Sequence, residues 1–387
     1  MRRALLVVAV AVLAGCGGQQ ASTPTQPEID LIPGCDPVYY ERPGIPQVVV
    51  VSDLPLTGPD RTAMGQSTQA IKLTLKNRDF RAGRTSVGYV SCSDSGAAGT
   101  WNAKTCRDNA QAFARRARVV AMIGTFDSGC MRAELPTLNA AGLVAVSPFN
   151  TAPDLTRNPR FRHRGVSYVR LVADEEMQAS AAAAYARFTG ARAVAAVGDD
   201  TPYARPLLRA FRTAAAGEGL EVVKRGADAV YVAGLLSHRT RALLRDARRR
   251  GRMLILAEGL GTIGQLTAEV GDLAEGAAMT VGGLPPERAG DAARKFEGEF
   301  ESKLGFPPQP FAVYAAQAAQ IVLDAIAASH ATRAAVRRSV LGARIRNGLV
   351  GAFSFGPTGE IVPAPVTILR VRNGHAVIER VLRSGVP

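Results

Sequence analysis

The chain has 387 residues, 47% of them hydrophobic, long enough for two lobes with cores of their own. Lysine and arginine outnumber aspartate and glutamate 47 to 33, for a formal net charge of +14. The basic residues are almost all arginine and are scattered. The densest run, Arg245-Asp246-Ala247-Arg248-Arg249-Arg250, reads as the basic end of a helix, which argues against a nucleic-acid partner.

At the N-terminus, Arg2-Arg3 precede an apolar stretch from Ala4 to Ala14, too short to span a bilayer. It ends in Leu13-Ala14-Gly15-Cys16, which resembles a bacterial lipobox. That resemblance implies a lipoprotein signal peptide over residues 1–16, with Cys16 lipidated and the chain held outside the cytoplasm on the bacterial cell membrane. The competing reading is an ordinary signal peptide with an incidental cysteine. No later run reads as long and apolar enough to cross a membrane. Residues 17–45 open on Gly, Gln, Ser, Thr and Pro and are expected to form a tether.

From there strand and helix patterns alternate. Val48 to Val51 is a buried strand run, followed by the turn Pro55-Leu56-Thr57-Gly58-Pro59 and a helix at about 62–77. A strand at 86–91, a helix at about 102–118 and a strand at 119–123 come next. The loop Gly124-Thr125-Phe126-Asp127-Ser128-Gly129-Cys130 then leads into a helix at roughly 131–141 and a strand at 143–146. A second polar loop follows, Ser147-Pro148-Phe149-Asn150-Thr151-Ala152-Pro153-Asp154-Leu155-Thr156. Tyr168 to Val172 reads as a strand crossing to a second lobe, which repeats the alternation through strands at 193–197, 220–223, 229–232 and 253–256. A second crossing is expected at 277–281, helices at about 289–303 and 312–328 return to the first lobe, and the chain ends in a hairpin around Asn373-Gly374. This is an α/β chain with mostly parallel sheets.

The two polar loops sit at the carboxyl ends of consecutive strands of one βαβ unit, where open parallel sheets bind ligands. The first feeds a helix N-terminus, which favours an anion, and Ser128 and Thr151 add hydroxyl donors. Neither loop contains Lys or Arg, which suits a small carboxylate better than a polyphosphate. Taken singly, Ser128 could be only a helix cap and Thr151 ordinary turn chemistry.

These loops resemble those of the leucine/isoleucine/valine-binding family, type I solute-binding proteins that serve ABC importers; the resemblance runs from about Val48 to Val381. It implies a two-lobed fold with a three-crossing hinge, lobe 1 at 46–167 and 284–347 and lobe 2 at 168–283 and 348–387. It further implies a monomer without cofactor or metal that captures an amino acid, branched-chain type or a similar small zwitterion, and delivers it to a permease and ATPase. A ligand-sensing subunit of the same fold is the alternative. The ligand carboxylate would fall on Ser128 and Thr151, with Phe149 also among the ligand-binding residues. Ala257-Glu258-Gly259 matches the position that takes the ammonium, and Tyr203 matches a cleft tyrosine. The chain departs from the family where Leu235 stands for a cleft tyrosine and where Met64 sits near the place of a first-loop tyrosine. Read without the resemblance, Glu258 could face solvent at a helix start, and Tyr203 could pack in the core.

With Cys16 set aside, Cys35, Cys92, Cys106 and Cys130 remain. An even number outside the cytoplasm suggests two disulfides, with three connectivities open, and the spacings fit no common zinc pattern. The family resemblance favours Cys106–Cys130, leaving Cys35–Cys92. Gly259-Leu260-Gly261-Thr262-Ile263-Gly264 follows a strand in GxGxxG form, but no ribose-binding acid ends a strand about 20 residues on. It reads as a tight turn before a helix. The chain contains no GxSxG, HExxH or Walker motif, so an enzyme is not expected.

Overall fold

The computed structural model describes residues 32–384. The signal peptide, Cys16 and the first part of the expected tether lie outside the described residues. The rest of that tether, 32–45, is not loose: it lies on the first sheet. Cys35 is bridged to Cys92, the Asp36 amide donates to the Ser91 carbonyl at 2.8 Å, and the Tyr39 amide donates to the Tyr89 carbonyl at 2.7 Å. A covalent link and strand-type hydrogen bonds order a stretch that composition alone marks as a linker.

The first lobe runs through β1 (Val48–Leu54), α1 (Arg61–Asn77), β2 (Arg81–Ala82), β3 (Thr85–Ser93), α2 (Ala103–Arg115), β4 (Val119–Gly124), α3 (Ser128–Ala140), β5 (Val144–Ser147), α4 (Asp154–Arg157) and β6 (Tyr168–Arg170). Its sheet has the order β2-β3-β1-β4-β5-β6. All neighbours are parallel except the β2–β3 hairpin. β1 is buried at every position; helices cover both faces, so the strand reads as a continuous apolar run rather than an alternating one. β6 pairs with β5 at the sheet edge, so the chain leaves the first sheet after Arg170.

The second lobe follows with α5 (Glu175–Phe188), β7 (Ala193–Gly198), α6 (Ala204–Gly217), β8 (Glu221–Val222), β9 (Ala229–Ala233), α7 (His238–Arg249), β10 (Met253–Ala257), α8 (Ile263–Val270) and β11 (Ala278–Gly282). After a second crossing, α9 (Asp291–Leu304), α10 (Pro310–Ala327) and α11 (Arg333–Leu341) return to the first lobe, where α10 packs on α1, β4 and β5. By length and composition α10 could cross a membrane, against the expectation that no such run exists. Val313, Ala316, Val322 and Ile326 are fully buried inside the lobe, so its apolarity is that of a core helix.

The chain closes with β12 (Arg344–Gly348), β13 (Gly351–Phe355) and β14 (Ile361–Val362) in a small sheet, then β15 (Ala364–Arg372) and β16 (His375–Ser384). β15 and β16 form the expected hairpin, with Asn373 and Gly374 both at positive φ in its turn. The hairpin adds antiparallel to the second sheet, whose order is β16-β15-β11-β10-β9-β7-β8. Two α/β lobes joined by three crossings result, as the sequence implies.

One ion pair holds the junction. Arg170, fully buried at the end of β6, places Nε 2.8 Å from Glu360 Oε2 and donates from Nη2 to Glu360 Oε1 at 2.8 Å. The same guanidinium donates to the carbonyls of Asn150 at 3.2 Å and Ala152 at 2.9 Å and to the Thr156 hydroxyl at 2.9 Å. A buried charge whose partner is removed costs more than the pair itself contributes. Glu360→Ala should therefore destabilise the protein by about 3–5 kcal/mol, read from the midpoint of urea unfolding. An Arg170→Met/Glu360→Leu double variant should lose less than the single one.

Candidate functional site

The first wall of the cleft is built from the loops after β4 and β5. α3 begins at Ser128 itself, three residues earlier than the sequence suggests, with Asp127 at the N-cap in extended conformation. The first-turn amides of α3 therefore have no partner within the helix and lie beside the Ser128 hydroxyl, whose oxygen accepts from the Ala152 amide at 3.3 Å. The two loops are stitched together. Asn150 Nδ2 donates to the carbonyls of Thr125 and Phe126, both at 2.9 Å, and Ser147 Oγ accepts from the amides of Phe149 and Asn150. Gly129 is needed for a different reason: a Cβ there would fall 2.3 Å from Cζ2 of Trp101, so the indole packs directly on the loop backbone.

Phe149, predicted as part of the site, is 8% exposed. It forms a three-ring cluster with Phe126 and Phe311, every centroid pair 5.6 Å apart and edge-on. Edge-to-face packing of this kind adds to the burial of the rings themselves. Phe311 comes from α10, so the returning segment supplies an apolar side of the first wall.

The second wall carries the acid. Glu258 follows β10 and is half-buried. Its Oε1 accepts from Gln178 Nε2 at 2.7 Å and its Oε2 from the Gly282 amide at 2.9 Å. Tyr203 lies against the same turn, its hydroxyl accepting from the Gly259 amide at 3.1 Å. The first glycine of the GxGxxG stretch thus makes room for a ring, since a Cβ on Gly259 would sit 2.3 Å from Tyr203 Cε1. Thr262 and Gln265 of that stretch close a capping box at the start of α8, which accounts for the rest of the motif. Leu235, which stands for a family tyrosine, is 51% exposed.

Sequence reasoning missed Glu175. It opens α5 and is 5% exposed. Its Oε1 accepts from the Thr151 hydroxyl at 3.2 Å, and its amide donates to the Thr151 carbonyl at 2.9 Å. In Asp174-Glu175-Glu176 it looks like one of the acids that favour any helix start, and Asp174 does cap α5 through the Met177 amide. Gln178, one turn on, was missed likewise. Burial pushes the carboxyls of both Glu175 and Glu258 up to about 7, and for Glu175 the nearby Glu258 charge adds to the rise. Tyr203 is held well above its usual range, first by burial and then by the same two carboxylates.

Cys106 pairs with Cys130 as the family resemblance implies, and the two cysteines that this leaves, Cys35 and Cys92, pair with each other.

The sequence matches the receptor family ligand binding region over residues 69–262 and the periplasmic binding protein family over 224–376. The chain belongs to the type I solute-binding family. Such a periplasmic binding protein works outside the cytoplasm. No curated protein matches this solute-binding protein in sequence. Among solved structures, the leucine-binding protein of Thermotoga maritima is 21% identical with a TM-score of 0.73, over 87% of this chain and 98% of that one. A branched-chain amino acid transporter substrate-binding protein from Streptococcus pneumoniae, in complex with isoleucine, is 15% identical with a TM-score of 0.72, over 88% of this chain and 100% of that one. A solute-binding protein from R. palustris in complex with benzoate is 16% identical with a TM-score of 0.71, over 88% and 97%. At these identities the likeness is one of fold.

Carboxyls raised from 4.5 to about 7 make the folded protein hold protons that the unfolded chain has released. Between those values stability falls as pH rises. The unliganded melting temperature should drop across that window, and Glu175→Gln and Glu258→Gln should each drop less than the wild type, measured by thermal denaturation in a buffer series.

Proposed function

We propose that this protein captures a small zwitterionic amino acid, branched-chain or similar, in the cleft and delivers it to the permease and ATPase of an ABC importer. The observation that carries the reading is the Glu258 carboxylate. Both its oxygens accept from neutral donors, it is half-buried, and among the described residues no lysine or arginine bonds it. A carboxylate so placed is completed by a ligand cation. Ser128 and the free amides of α3 supply the matching anion site. Thr151 joins them when its hydroxyl turns from Glu175 to the ligand, and the rings of Phe149, Phe126 and Phe311 offer the apolar side of the pocket. The solved proteins of the same fold that hold leucine or isoleucine support an amino-acid ligand.

A ligand present at a hundred times its Kd stabilises the folded state by about 2.7 kcal/mol. One of Leu, Ile and Val should therefore raise the melting temperature of the wild type. Glu258→Ala should lose about 2–5 kcal/mol of binding, enough to remove most of the shift measured against its own unliganded melting temperature. A shift with benzoate and with none of the amino acids would sink the zwitterion reading. An unchanged shift in Glu258→Ala would remove Glu258 as the ammonium partner.

We further propose that Cys16 carries a lipid anchor, because it closes a lipobox after a short apolar run. Cys16→Ser should move the protein from the membrane fraction to the soluble one. Retention at the membrane would refute the anchor.

A further inference from the structure

A cavity of about 570 Å³ lies beside the second and third crossings, and none of Ser128, Phe149, Thr151, Tyr203 and Glu258 lines it. The second crossing forms one side through Leu284 and Arg288. The small sheet forms another through Arg346 and Gly351, and the final hairpin a third through Pro365 and Arg383. Pairing and packing hold these parts together. Arg383 stands opposite Pro365 in the β15–β16 register, and the Pro365 carbonyl accepts from the Gly283 amide at 2.8 Å. The next residue, Leu284, reaches the small sheet: a Cβ on Gly351 would stand 3.1 Å from its Cδ2. β12, which carries Arg346, pairs with β13 and packs on α9. The volume is that of a small-molecule site.

The lining is electrostatically one-sided. Arg288, Arg346 and Arg383 all line the cavity. Among the described residues none of their guanidinium groups makes a hydrogen bond or an ion pair. Asp291 is the one acid on the lining among the described residues, and it is paired with Arg294, which lies outside the cavity. Three like charges around one concave surface repel each other and raise the local concentration of anions. Neutral donors stand beside them. Asn347 lines the cavity, as do Gly290, Asp291 and Ala292 at the start of α9, where no side chain caps the helix. A helix start alone would not make a site; the three uncompensated arginines do.

We propose that this cavity binds a small molecule bearing phosphate, a phosphate monoester or a diphosphate, through Arg288, Arg346 and Arg383. A guanidinium fork meets the oxygens of phosphate in pairs. A phosphate monoester carries up to about two negative charges near neutral pH. A lone carboxylate, with one charge and two oxygens, would leave most of these donors unserved. An anion held by all three arginines ties the end of β16, in the second lobe, to the segment that leads into α9, in the first. The proposal goes beyond the amino-acid reading and does not rest on it.

The test titrates inorganic pyrophosphate into the full chain, with both disulfides intact and amino acids removed, by calorimetry in buffered saline. Saturable binding of close to one equivalent is expected, with a melting temperature that rises with pyrophosphate and not with sodium chloride at matched ionic strength. Malonate, a dicarboxylate, should bind at least about tenfold more weakly, since its oxygens fit fewer of the forks. Arg346→Gln and Arg383→Gln should each weaken pyrophosphate binding at least about tenfold, the loss of one charge-assisted contact, and leave the melting temperature without pyrophosphate unchanged. Arg288→Gln is the further variant should either fail to fold. Arg245→Gln, at an exposed arginine of α7 outside the cavity, should bind as the wild type does. Several weak equivalents, or an equal loss in Arg245→Gln, would mean diffuse attraction to a chain of net charge +14 and would overturn the site. Malonate binding as tightly as pyrophosphate would overturn the phosphate class, and no binding by the wild type would overturn the proposal whatever the variants do.

Discussion

The fold turns on the pairing of Arg170 with Glu360. Arg170 ends the last strand of the first sheet, and Glu360 comes 190 positions later, between the small sheet's second and third strands. The guanidinium fork has more donors than one carboxylate can use. The surplus goes to the carbonyls of Asn150 and Ala152, which flank Thr151. One side chain thus ties the junction between lobes to the loop after β5. Arginine suits the position because its planar donors reach several acceptors at fixed angles; a lysine would bring a point charge and fewer directed bonds.

The cleft combines hydrogen-bond donors on one wall with carboxylates on the other. The first wall donates through a helix start and hydroxyls and presents no side-chain cation; the second holds Glu258 among neutral partners. Glu175 complicates this division, since its carboxyl takes the hydroxyl of Thr151. An internal carboxyl thus accepts the Thr151 hydroxyl, which limits the cost of holding that donor away from water.

Much of this was legible in the sequence because strand and loop order is local information. β1 and β4 announce themselves as apolar runs, the two polar loops follow their strands at once, and Asn373-Gly374 marks the final hairpin. The features that were not legible depend on partners far apart in the chain. Glu175 looks like a helix-start acid until Thr151 is seen beside it. Phe311 looks like one apolar residue of α10 until its ring meets Phe126 and Phe149. Arg170 sits in a run read as a strand, with nothing nearby to suggest burial. The stretch 32–45 read as linker because composition cannot show that Cys35 and Tyr39 sit against β3.

The first lobe is assembled from two separated parts of the chain, and this has a consequence for how the molecule is made. A polypeptide appears N-terminus first, so β4 and β5 are complete long before α10 and α11, which pack on them, exist. Until about residue 341 has emerged, α1 covers its face of the first sheet without the helices that pack beside it, while the second lobe in turn waits for β15 and β16. Neither lobe can finish by itself from the leading half of the chain. Contacts this distant in sequence slow folding, and a nascent chain of this kind stays open until nearly all of it is available.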